Sequence, residues 1–140
     1  MPDSLLLLDT HCWIWEQFGH TDRFSSLGRR LLERAAQNDA LRVSVISVWE
    51  IGLLESKGRL SLKMPCSEWI NQALATPGLS LEPFTPEIAI ESSRLPGEIH
   101  ADPADRILIA TARITGAHLL TADEKLLRYG RTRHAHIISA

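Results

Sequence analysis

Leu5-Leu6-Leu7-Leu8 is an unbroken apolar run that stops at Asp9. Successive side chains on a strand point to opposite faces, so four consecutive leucines need cover on both sides of a sheet at once. That is the pattern of a parallel strand with helices above and below it, and the run predicts a short central strand. It is far too short to cross a membrane, and no basic segment precedes it between Asp3 and the leucines to make a secretory leader. A cytoplasmic protein with no membrane association is expected.

The rest of the chain alternates in the same sense. Ser26 to Asn38 carries Leu27, Leu31, Leu32, Ala35 and Ala36 at helical spacing, with Arg29, Arg30, Glu33 and Arg34 on the other face. Arg42 to Ile46 reads as a β-branched strand, after which Ser47 opens a helix that runs to about Lys57 and stops at Gly58. Pro65 to Ala75 predicts a helix, Leu79 to Phe84 a strand, and Pro86 to Ser93 a further helix. Asp102-Pro103-Ala104-Asp105 is a helix start: a capping acid, proline at the first helical position, and a second acid in the first turn, leading to Gly116. Ala117 to Thr121 predicts a strand, Asp123 to Tyr129 a short helix, and His136 to Ser139 a last strand. This βαβα order, with connections too long for hairpins, predicts an α/β fold: a single doubly wound domain over residues 1–140, with a central parallel sheet of four or five strands flanked by helices. A chain of 140 residues, 44% apolar and 23% charged, buries enough surface to fold without disulfides or a structural metal. Cys12 and Cys66 accordingly read as free thiols.

Three signatures of α/β enzymes are missing: a Gly-x-Gly-x-x-Gly turn, a phosphate loop and a Gly-x-Ser-x-Gly elbow. Nucleotide-cofactor and serine-hydrolase readings lose their support. In an open parallel sheet the site lies beyond the carboxyl ends of the strands, and there the sequence places Asp9, Glu50, Asp105 and Asp123. Each has a local explanation. Glu50 completes a Ser-x-x-Glu capping box with Ser47, Asp102 and Asp105 suit a helix N-terminus, and Asp123 suits the cap of the last helix. Asp9 resists this reading best, because a carboxylate closing a four-leucine run needs a partner to offset its desolvation. Converging carboxylates raise one another's pKa unless a cation is present, so together the four imply hard divalent metal binding, Mg2+ or Mn2+.

Leu5 to Trp15, LLLLDTHCWIW, resembles the opening of PIN-domain ribonucleases of the VapC toxin type. Ser47-Val48-Trp49-Glu50-Ile51 followed by Lys57-Gly58-Arg59-Leu60 is similar to the family's Ser-x-x-Glu-Ile helix and its exit. His100-Ala101-Asp102-Pro103-Ala104-Asp105-Arg106 and Thr121-Ala122-Asp123 resemble the family's His-x-Asp-Pro-x-Asp-Arg and Thr-x-Asp patterns. The resemblance implies that Asp9, Glu50, Asp105 and Asp123 form an acidic, catalytic metal site, with Asp102 turned back onto its helix and Asp105 facing the crevice. Thr10, Ser47 and Thr121 are candidate donors that orient the carboxylates. The implied activity is metal-dependent endoribonuclease cleavage of RNA. A small cognate antitoxin and a homodimer are the implied partners. A non-catalytic PIN-like protein-binding or regulatory module, its acids serving only as caps, is the alternative. A receiver-like phospho-acceptor domain is disfavoured, because Asp9 is followed by Thr10 and not by a second acid.

Net charge is -2 from 15 basic and 17 acidic side chains, so bulk charge does not mark a nucleic-acid binder. Twelve of the cations are Arg, clustered at Arg29, Arg30 and Arg34 and at Arg128, Arg131 and Arg133; these are the candidates for holding an RNA strand beside the crevice. Trp13, Trp15, Trp49 and Trp69 are expected to cover core or groove surface. Arg106 is expected to anchor its helix by an ion pair. His11, His20, His100 and His118 read as structural or solvated, and His134-x-His136 lacks a third metal ligand.

Overall fold

The computed structural model describes residues 4–99 and 101–140; Asp3 and His100, which enter the sequence argument, lie outside the described residues. Five strands, β1 (Leu6–Leu8), β2 (Leu41–Ser44), β3 (Leu79–Glu82), β4 (His118–Thr121) and β5 (Ile137–Ser139), form one sheet in the order β3-β2-β1-β4-β5. Every pairing is parallel. The leucine run supplies the middle strand, and alternation divides it as expected. Leu6 and Leu8 join the core on one face, with Trp13, Ile51 and Trp69, while Leu7 joins the core on the other, with Leu108, Ile109 and Leu126. Leu7 and Leu8 are fully buried, and truncating either to Ala removes about 2–5 kcal/mol.

The helices are α1 (Thr10–Gln17), α2 (Ser26–Gln37), α3 (Val45–Ser56), α4 (Cys66–Leu74), α5 (Pro86–Ser93), α6 (Pro103–Thr115) and α7 (Glu124–Gly130). α6 follows the sequence closely: Asp102 accepts a hydrogen bond from the Asp105 amide at 2.9 Å, Pro103 takes the first helical position, and Gly116 ends the helix at φ 77°. Gly78 is required for another reason. At φ +83° its Cα lies so close to α2 that a Cβ would stand 2.0 Å from the Ala36 carbonyl oxygen.

Two local expectations are corrected. α1 has no counterpart in the sequence reading, because Cys12, Trp13 and Ile14 are all buried and the segment shows no polar face. The strand predicted over Arg42–Ile46 ends at Ser44, whose hydroxyl accepts from the Ile46 amide at 3.0 Å and caps α3. The helix therefore starts two residues before Ser47, and the Ser47–Glu50 capping box does not exist. Ser47 is instead inside α3 and fully buried.

Candidate active site

Asp9, the Ser44–Val45 turn and Asp123 stand at the carboxyl ends of β1, β2 and β4, three adjacent strands, and the start of α6 closes over them. Asp9 is 6% exposed. One of its oxygens accepts from the Cys12 amide at 2.8 Å, which makes it the N-cap of α1, and the other accepts from the buried Thr121 hydroxyl. The expectation that Asp9 escapes a capping role is thus corrected: it caps with one oxygen and faces the crevice wall with the other. Beside it, burial and the Asp9 charge push the Cys12 thiol well above the ordinary range, so it stays protonated.

Glu50 projects from the second turn of α3. Its Oε1 accepts from the Thr10 hydroxyl, and Thr10 Oγ1 also lies 2.9 Å from Ser47 Oγ. A threonine hydroxyl has one proton. Since that proton goes to the carboxylate, the Ser47 hydroxyl donates to Thr10, and a buried Ser47–Thr10–Glu50 relay fixes the acid in place. Burial pushes the Glu50 carboxyl up, the Thr10 hydrogen bond pulls it down, the charge on Asp102 pushes it up, His11 pulls it down and Asp9 raises it further. His11, which the sequence reading left as structural or solvated, is exposed and acts electrostatically on this acid.

Asp105 occupies the first turn of α6 and is half-buried. Its carboxyl is pushed up to about 7, first by burial and then by the charges on Asp102, Asp123, Glu50 and Asp9. Besides its neighbour Asp102, acids from three other segments thus act on it. Asp123 caps α7 through the Lys125 amide at 2.8 Å, and its own amide donates to Thr121 Oγ1 at 3.0 Å. Thr121 therefore ties Asp9 to Asp123.

Capping accounts for Asp9, Asp102 and Asp123 but not for Glu50 or Asp105, whose side chains cap nothing. Among the described residues no three His, Cys, Asp or Glu side chains converge tightly enough to enclose an ion. An all-oxygen donor set of this kind nonetheless suits Mg2+ or Mn2+. Mg2+ keeps several waters and is typically held by one or two carboxylates, without an all-protein cage, and a cation would relieve the mutual repulsion that raises Asp105.

Other expectations are redistributed. Trp13 and Trp69 are core residues, but Trp49 is 58% exposed, next to Glu50. With Val45, Ile46, Phe84, Pro103 and Ala104 it lines an apolar cavity of about 340 Å3. Arg106 anchors α6 by a hydrogen bond from Nε to the Ser92 carbonyl at 3.0 Å, and among the described residues it makes no ion pair. Arg34 lies beside Ser4, Leu5 and His118, where the strands begin, so Arg34 itself does not flank the crevice. No helix among the described residues is long and apolar enough to cross a membrane.

Residues 6–132 match the PIN domain family model. The chain is 32% identical over 133 residues to Ribonuclease VapC22 of Mycobacterium tuberculosis (strain ATCC 25618 / H37Rv), covering 93% of this chain and 95% of that protein. Its fold is similar to solved structures of VapBC2 from Rickettsia felis bound to a promoter DNA fragment, with TM-score 0.69, 18% identity and coverage of 96% and 98%. FitAcB from Neisseria gonorrhoeae is also similar, with TM-score 0.64, 19% identity and 96% of each chain covered.

Proposed function

The chain belongs to the PIN-domain family, and from that premise we propose that it is a metal-dependent endoribonuclease that hydrolyses RNA phosphodiester bonds, the toxin of a toxin–antitoxin pair. The observation that carries this reading is the placement of Asp9, Glu50, Asp105 and Asp123, from four segments, at the carboxyl end of the sheet, with Glu50 and Asp105 capping nothing. Asp9, Glu50, Asp105 and Asp123 are the proposed metal-holding and catalytic residues. When bound among their oxygens, Mg2+ or Mn2+ supplies a more acidic water and positive charge against the scissile phosphate.

The chain's own groups supply the rest. The Cys12 amide and Thr121 hydroxyl hold both oxygens of Asp9 in one orientation, and the Ser47–Thr10 pair does the same for Glu50. Glu50 is the group proposed to take a proton from the attacking water, since burial leaves its carboxylate more basic than an exposed one.

A small cognate antitoxin and a second copy of the chain are the proposed protein partners. The relatives described above include VapBC and FitAcB assemblies, and on this chain the support is the exposed apolar surface around Trp49 and Phe84. Sedimentation of the wild type and Trp49→Glu tests the second copy: a dimer for the former and a monomer for the latter is the expected result. Expression that arrests growth unless the product of a neighbouring short gene is present tests the antitoxin. Cleavage of RNA by the purified protein with Mg2+ or Mn2+, and none in EDTA, tests the activity; harmless expression of a folded protein that cleaves nothing favours the binding-module alternative.

A further inference from the structure

The basic residues are unevenly placed around the crevice. Arg34 belongs to the end of the sheet where strands begin, whereas α7 starts at the end where they finish, one residue beyond the capping Asp123. From Glu124 to His136 the chain carries Lys125, Arg128, Arg131 and Arg133 against one acid, and all four cations are exposed. Arg131 takes that acid, Glu124, at 3.2 Å. Among the described residues Lys125, Arg128 and Arg133 make no ion pair.

Lys125 and Arg128 are three residues apart on α7, so they share a face and are separated by about 4.5 Å along the helix axis. They line one open cavity of about 220 Å3 together with Glu98, Ile99, Tyr129 and Thr132. Its floor is fixed. The Tyr129 hydroxyl donates to the Pro96 carbonyl at 2.7 Å, and the Thr132 hydroxyl donates to the Tyr129 carbonyl at 2.6 Å. The Glu98 carboxylate offsets one of the two positive charges that line the groove and leaves it net positive.

We infer that Lys125 and Arg128 form a track for the sugar–phosphate backbone of a single RNA strand leaving the acidic crevice past Asp123. The inference rests on the nuclease reading for its ligand but is tested by binding alone. Both are positioning residues: they hold phosphates at the edge of a site whose acids would otherwise repel the strand. Charge complementarity and continuity with Asp123 favour RNA over an acidic protein segment.

The test is binding of a fluorescently labelled single-stranded RNA of mixed sequence, in EDTA, over a series of salt concentrations. Lys125→Ala/Arg128→Ala is expected to weaken binding at least about tenfold at low salt. It should also flatten the slope of log K against log salt by about 1.4, at about 0.7 per single-strand phosphate contact. Lys125→Arg should keep the wild-type slope, and Arg34→Ala, at the end of the sheet where the strands begin, should leave affinity unchanged. In cleavage assays the double variant should raise KM with kcat within about twofold of wild type. An unchanged slope in the double variant, an equal loss in Arg34→Ala, no RNA binding by the wild type, or, in a parallel titration with polyglutamate, a loss seen with polyglutamate and not with RNA overturns the track. RNA binding with the expected slope but no cleavage under Mg2+ or Mn2+ overturns the nuclease reading and leaves the track standing.

Discussion

Asp105→Asn is expected to make the metal-free protein more stable, and the structure sets both the size and the pH window of the effect. The carboxyl is pushed from an ordinary 3.8 to about 7 in the folded state, so between those values the native protein binds a proton that the unfolded chain does not. Stability therefore falls as pH rises from about 4 to 7, and above 7 the full penalty is present. The rise from 3.8 to about 7 sets a ceiling near 4 kcal/mol. The side chain is only half-buried and water screens its neighbours, so about 1–2 kcal/mol is expected to survive. Urea unfolding of both proteins in EDTA from pH 4 to 8.5 measures this. The curves should coincide near pH 4 and separate to a constant gap above pH 7. Added Mg2+ or Mn2+ should close the gap by stabilising the wild type alone, because a ligand that binds only the native state shifts unfolding by mass action. A gap that does not change with pH, or an Asn variant less stable at pH 8, would refute the claim that burial and the neighbouring acids raise Asp105.

Glu50→Gln should lower RNA cleavage at least about a hundredfold with the melting temperature nearly unchanged, since Gln still accepts from Thr10 but lacks the charge that binds metal and the basicity that takes a proton; a thermal melt beside a cleavage assay separates the two effects. Ser44→Ala removes the cap of α3 and should cost about 1 kcal/mol in urea melts while sparing activity, whereas Ser47→Ala removes the donor to Thr10 and should lower kcat as well. Gly78→Ala should destabilise the fold by at least about 2 kcal/mol, because the added Cβ meets backbone at a positive φ.

Much of the fold was legible because the leucine run is so restrictive. An apolar run of four fixes burial on both faces, and the Asp-Pro and Gly punctuation of α6 is local chemistry that needs no tertiary context. The failures have equally local causes. α1 is not legible because a helix wedged between the sheet and α3 is apolar on most sides, and periodicity is then silent. Val43-Ser44-Val45-Ile46 misled because β-branched residues favour strands on average, while the Ser44 cap and packing against α6 turn the chain earlier. At the site, the acids stood out by position. The Ser47–Thr10–Glu50 relay and the bond from Thr121 to Asp9 depend on distances between segments 37 to 112 residues apart, which residue spacing does not encode.

The most direct test of the central claim is cleavage of a defined single-stranded RNA by the purified protein, followed by gel after EDTA treatment and again after Mg2+ or Mn2+ is restored, with Asp9→Asn run in parallel. The account predicts no cleavage in EDTA, recovery with the divalent ion, and at least about a hundredfold loss in Asp9→Asn despite a native circular-dichroism spectrum. Cleavage that persists in EDTA, or an Asp9→Asn protein that cuts at the wild-type rate, would contradict it.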